Sequence, residues 1–179
     1  MKNEINALAY ITRRRSVRRF TEQGIADEQI ELLLKAAMAA PSAMNIQPWE
    51  FVVVRDQEGL ERLRTATTFS RIKAPCAIVV CGQLNTLKRP VAERFWVQDC
   101  SAATENLLLM AANIGLGAVW CGVHPIRLHQ NAVKKVLALP GGITPLNVIY
   151  IGVPAELPPP ATKYKAEKVH REKYGQAWK

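Results

Sequence analysis

Apolar residues recur at helical spacing along the first third of the chain. Ile30, Leu33, Leu34, Ala37 and Met38 follow Asp27 at i, i+3, i+4, i+7 and i+8, which predicts a helix with a buried stripe, ended by Pro41. Ile5, Leu8 and Ala9 predict an earlier helix, capped by Asn3 and running into a basic cluster. Residues 51–54 read as a strand entered from the Pro48-Trp49 corner, and Asp56 starts a short helix carrying Leu60 and Leu63. Residues 76–81 are continuously apolar, without alternation, which predicts a strand covered on both faces. The longest helical stretch covers residues 91–114. Val97, Cys100, Thr104, Leu107, Leu108 and Ala111 line one side, and small residues (Ser101, Ala102, Ala103, Ala112) fill much of the rest. So little polar surface predicts burial nearly all round, at the centre of the domain or at a seam between two subunits.

Beyond it, Gly115 and Gly117 stop the helix and a strand passes through Val119 and Trp120. A helix with Val133, Val136 and Leu137 ends at Pro140-Gly141-Gly142, and residues 147–151 form the last strand. Helices mixed with four or five strands give an α+β sandwich, with helices on both sides of one sheet. Pro158-Pro159-Pro160 is a stiff extended spacer, and the charged tail after it keeps Tyr164, Tyr174 and Trp178, as a segment docking on a surface would. The 179 residues form one domain by length, with 158–179 as its extended tail.

Composition narrows the class. Hydrophobic content of 49% with 22% charged residues is globular. No apolar run approaches the ~20 residues of a membrane span, and the Met1-Lys2-Asn3-Glu4 start carries no signal-peptide core. Cysteines 76, 81, 100 and 121 form no C-x-x-C pair and have no His partner at metal spacing, so they read as buried small hydrophobes in a reduced, cytoplasmic setting, with no metal site. The net charge of +9 raises nucleic-acid binding, but the excess sits in residues 13–19 and in the tail, without a stacking pattern or a helix-turn-helix layout. Phosphorylated small molecules fit that field better.

Two short stretches carry the chemistry. Arg13-Arg14-Arg15-Ser16-Val17-Arg18-Arg19-Phe20 sets several guanidinium forks around one hydroxyl, suited to a doubly charged phosphate. Pro41-Ser42-Ala43-Met44-Asn45-Ile46-Gln47-Pro48-Trp49 is a loop fixed by prolines, with two carboxamides one residue apart. Each carboxamide donates and accepts, so the pair suits a ring edge that alternates carbonyl and N–H, such as the pyrimidine edge of a flavin. Together they read as a site for flavin mononucleotide.

Through these stretches, through Gln98-Asp99-Cys100-Ser101-Ala102-Ala103-Thr104-Glu105-Asn106, and through residues 115–122 and 151–156 in order, the chain resembles the FMN-dependent nitroreductase family over nearly its whole length. The resemblance implies a three-layer sandwich around a mostly antiparallel sheet, in an intertwined homodimer with shared active sites and the tail docked on the partner. It implies non-covalent FMN, with NADH or NADPH as cosubstrate and a nitroaromatic or quinone-like small molecule as electron acceptor, in ping-pong order. Arg14, Arg15, Ser16 and Arg18 would contact the phosphate, ribityl chain and pyrimidine end, while Arg13 and Arg19 would be surface charges. Pro41, Ser42, Ala43, Met44, Asn45 and Gln47 would complete the partner's site, and Lys163 would be a second phosphate cation. Trp120, Cys121 and Gly122, in a turn after a strand, would line the ring, with a backbone N–H near Gly122 facing N5. No side chain would act as catalytic acid or base.

Rival readings are weaker on the residues. Cys121 as a nucleophile has no base placed by sequence, and Gly115-x-Gly117 precedes a strand where a dinucleotide fingerprint follows one. Within the flavin family, a specialised dehalogenase or flavin-processing enzyme would carry lid segments for which residues 67–75 and 84–94 leave little room. A protein that holds FMN without turnover is the remaining alternative.

Overall fold

A computed structural model describes residues 2–84, 90–159 and 163–178. Its helices are α1 (Lys2–Arg13), α2 (Asp27–Met38), α3 (Gln57–Ala66), α4 (Pro90–Asn113) and α5 (Arg127–Val136). Its strands are β1 (Trp49–Val54), β2 (Cys76–Gln83), β3 (Gly117–Gly122) and β4 (Ile143–Gly152). The four strands form one antiparallel sheet in the order β1-β2-β4-β3. The side chains of Asn3 and Ile5, residues 85–89 of the short 84–94 segment and the side chains of 90–92, Pro160 in the proline spacer and Lys179 lie outside the described part.

The continuous apolar run of β2 has the predicted cause. Cys76 to Gly82 are buried, and alternate residues feed two cores. Ile78 and Val80 pack with Leu33 and Ala37 of α2 and with Cys100, Ala103 and Leu107 of α4. Ala77, Val79 and Cys81 pack with Leu63 of α3 and Val133 of α5. Helices therefore cover both faces of the sheet, giving three layers. Asp56 caps α3 by accepting the Gly59 N–H at 2.6 Å.

Several boundaries move for physical reasons. β4 begins four residues before the predicted 147, because Ile143 to Pro145 pair with the extended end of β2 past a bulge between Val80 and Cys81. Met38, expected in the buried stripe of α2, is 51% exposed, since the helix ends there, while Ile30, Leu33 and Ala37 are buried. The apolar side of α1 is uncovered in the single chain, with Leu8 and Ile11 62% and 57% exposed. Trp120, Cys121 and Gly122 lie inside β3 and not in a turn after it, because the pairing with β4 continues through Gly122↔Asn147. No helix among the described residues is long and apolar enough to cross a membrane.

At one end of the sheet, Trp96 of α4 lies so close over Gly82 that an added Cβ would come within 2.4 Å of the indole. Gly82→Ala should therefore destabilise the protein by about 1–3 kcal/mol through overpacking, read as a lower urea midpoint at unchanged slope.

Candidate functional site

The arginine run leaves α1 and joins the outer edge of β3. Val17 donates its N–H to the Ala118 carbonyl at 3.0 Å, and its side chain is buried directly over Gly117, where any Cβ would collide with it at 2.8 Å. Thr21 N–H to Val153 O and Ala155 N–H to Arg19 O continue the attachment. With Val17 turned inward, Ser16 and Arg18 are directed away from the core. Arg14 Nε pairs with Glu105 on α4 at 3.2 Å, Arg15 Nε donates to Pro159 O at 3.1 Å, and Arg18 donates to Ser16 O at 3.3 Å. Arg13 and Arg19 are engaged outside this group, the first over the Tyr10 ring and the second with Glu156 at 3.1 Å. A cavity of 280 Å³ lies between the run and α4, lined by Arg13, Arg15, Val17, Leu108, Leu116 and Ala118 among others.

The same edge of β3 presents backbone donors. Because Ala118 O points away from β4 to meet Val17, antiparallel alternation turns the N–H groups of Trp120 and Gly122 outward as well. No atom stands within 4 Å of where a Gly122 Cβ would be. The edge thus offers guanidinium groups near Ala118 and an open donor at Gly122, about 14 Å further along at ~3.4 Å per residue.

The loop after α2 is held in an unusual shape. Ala43–Asn45 forms one 3₁₀ turn, and Met44, Asn45 and Gln47 have φ of 55°, 53° and 54°. Left-handed backbone costs a non-glycine residue about 1–2 kcal/mol, so the surroundings must impose it. Two bonds do so: the Gln47 N–H donates to Ser42 Oγ, and the Ala43 N–H donates to Asp99 Oδ1 of α4, both at 2.9 Å. Gln47 Nε2 donates to Asn45 Oδ1 at 3.0 Å, locking the two carboxamides side by side.

The loop and the arginine run are both hung on α4, but on different flanks. Asp99, which holds the loop, and Glu105, which holds Arg14, are six residues and therefore about 120° apart around the helix. Asn106, on the Asp99 side, donates to Ala36 O of α2. Within one chain α4 separates the two groups. Lys163 is exposed and follows the segment that Arg15 ties down at Pro159. Sequence reasoning passed over Asp99, although it is the one acid among the small residues that open the Gln98–Asn106 run. It also passed over His124, which had no motif to mark it.

Comparison with known proteins follows this geometry. The model of the nitroreductase family matches residues 11–68 and 71–153. A protein of Archaeoglobus fulgidus named "Putative NADH dehydrogenase/NAD(P)H nitroreductase" is 43% identical over 93% of this chain and 98% of its own. A Parabacteroides distasonis crystal structure of the same name superposes with a TM-score of 0.88 at 40% identity, covering 94% of this chain and 99% of the other. A Desulfovibrio desulfuricans structure solved in complex with FMN superposes with a TM-score of 0.78 at 32% identity, over 93% and 96% of the two chains.

The cysteine side chains lie in the two cores. All four are free and buried, and no cluster of His, Cys, Asp or Glu among the described residues could hold a metal ion. Burial pushes the thiols up from 9.0, to about 11 for Cys76 and about 12 for Cys81 and Cys100. Burial raises Cys121 as well, against the lowering influence of Ser70 and Arg18. Because the folded values lie above the unfolded one, the native state is fully favoured below pH 9 and loses stability as pH rises from there toward 12. The urea midpoint should fall steadily above about pH 9, by roughly 1 kcal/mol per thiol and pH unit, and less steeply in Cys100→Ala.

Proposed function

The chain is a member of the nitroreductase family and an NAD(P)H-dependent oxidoreductase, and we propose that the β3 edge holds FMN for the reduction of nitroaromatic or quinone-like acceptors. The observation that carries this reading is one edge that presents an anion-binding cluster and, further along, an open backbone donor over an unfilled glycine. That donor set fits a phosphate at one end and a hydrogen-bonding heteroaromatic ring at the other.

FMN held there would supply hydride-transfer chemistry between NAD(P)H and the second substrate, in ping-pong order. The chain's own residues bind and orient. Arg14, Arg15 and Arg18 would neutralise the phosphate and the polar side of the ring, the Ser16 hydroxyl would add a hydrogen bond, and the arginines' positive charge favours an electron-rich ligand. The Gly122 N–H is offered to the reactive side of the ring, flanked by Trp120 and Cys121. Lys163 adds a second cation at the phosphate end. Hydride transfer calls for no side-chain acid or base, so positioning is the protein's main contribution.

The carboxamide loop enters the same site from a second copy of the chain. Pro41 to Met44 shape that loop, and Asn45 and Gln47 supply donors and acceptors. Three features support a homodimer: α4 parts the loop from the arginines, the apolar side of α1 is uncovered, and the tail leaves Tyr164, Tyr174 and Trp178 70%, 93% and 52% exposed. The tail, residues 158–179, lies across the partner of this single domain.

Purified protein should be yellow, releasing FMN and not FAD on denaturation. Arg14→Ala or Arg18→Ala should weaken FMN binding tenfold or more, since a charge-assisted hydrogen bond contributes roughly 1.5–3 kcal/mol. Arg13→Ala and Arg19→Ala should change it little; equal losses at all four positions would mean a general basic surface.

A variant lacking Arg14 and another lacking Asn45 should each bind FMN poorly. Refolded together, their heterodimers should regain one native site of the two, measured as flavin per dimer. Heterodimers with no tight site would place both elements in one chain.

A further inference from the structure

His124 stands two residues beyond the end of β3, and its contact with Trp96 puts it on the α2/α4 face of the sheet. Val123 before it is fully buried in the opposite core, with Leu63 and Val133. The imidazole meets the Trp96 ring edge to face, at 4.9 Å between centroids, so the base of α4 fixes its plane. Gln130 of α5 fixes its rotation, donating from Nε2 to His124 Nδ1 at 3.1 Å.

An amide N–H donor at Nδ1 leaves the ring proton at Nε2. That nitrogen has no partner among the described residues and is not sealed from solvent, unlike the buried unpaired Nδ1 of His129. The side chain is thus held on two sides, with one N–H unpaired among the described residues, two positions along the chain from Gly122 and its open space. Partial burial also lowers its pKa, which keeps the ring neutral near pH 7.

We propose that His124 is the acceptor-binding residue of this enzyme: its Nε2–H donates a hydrogen bond to the oxygen of the oxidising substrate, a quinone carbonyl or a nitro group. This rests on the reading of the β3 edge given above. Negative charge builds on that oxygen as the acceptor is reduced, and a fixed donor is strongest where charge develops. Trp96 and Gln130 act as positioning residues, since neither would touch the acceptor.

The test uses FMN-loaded protein with His124→Phe, which keeps a ring against Trp96, and His124→Gln, which keeps an N–H donor. Flavin content and thermal midpoint are measured first. Menadione is then titrated into the oxidised holoprotein without reductant, following the flavin absorbance, to give a dissociation constant independent of turnover. Reduced holoprotein is next mixed with menadione, or with ferricyanide, which takes electrons without offering a carbonyl or nitro oxygen.

For His124→Phe, the menadione dissociation constant should rise and the reoxidation rate should fall, each about five- to tenfold, as expected for one lost hydrogen bond. Bleaching by NAD(P)H and reoxidation by ferricyanide should stay within about twofold, and His124→Gln should recover most of the menadione affinity. Unchanged menadione binding in His124→Phe overturns the assignment, as does an equal loss with ferricyanide or NAD(P)H. Wild-type protein that takes up no FMN overturns the reading of the β3 edge itself, and is recognised before any acceptor is added.

Discussion

The site depends on how the segment after α1 is fastened to the outer edge of β3. One backbone bond, Val17 N–H to Ala118 O, and one buried side chain, Val17 over Gly117, set both register and facing. Strand geometry does the rest. With Val17 inward, its neighbours Ser16 and Arg18 face outward, and with Ala118 O turned to the edge, the Gly122 N–H is turned there too. A slip of one residue would bury an arginine and turn the strand's donors back into the sheet. A single apolar contact thereby governs where several charges stand.

A second constraint acts through α4. This helix has a face for the sheet, through Cys100, Ala103 and Leu107, and it also holds the two polar elements on separate flanks. Its small residues leave it room to lie close to its neighbours. Two of its carboxylates are divided in purpose: Glu105 steadies a guanidinium, while Asp99, inside the protein, holds a loop whose three left-handed residues would otherwise relax. The other oxygen of Asp99 has no partner among the described residues, so the loop is held by one hydrogen bond from that carboxylate.

Much of this was legible in the sequence because the signals were periodic or chemical. The uninterrupted run of β2 announced a strand between two layers, and the small-residue surface of the long helix announced its central place. The arginine run and the carboxamide loop were visible as chemistry before any geometry was known. Other features were not local. Met38 continues the apolar stripe of α2, yet whether it is covered depends on where the helix ends against α4. Trp120 to Gly122 belong to β3 because they pair with Ile149 to Asn147 of β4, residues some 25 positions further along the chain. Asp99 and His124 gain their significance from partners 56 residues away for the loop amide and 28 residues away for the indole, and no spacing rule in a single sequence connects them.

The burial of the thiols has a consequence for the lifetime of such an enzyme. Quinones add thiolates, and the nitroso products of nitroarene reduction capture them as well. Turnover on the proposed acceptors would bring an electrophile, the quinone itself or a nitroso product, close to Cys121, a few ångströms along β3 from the open edge at Gly122. That sulfur is 4% exposed on the opposite face of the strand, and burial keeps it protonated. The sheet itself shields the catalyst from its own products, without any need to exclude sulfur from the neighbourhood of the chemistry.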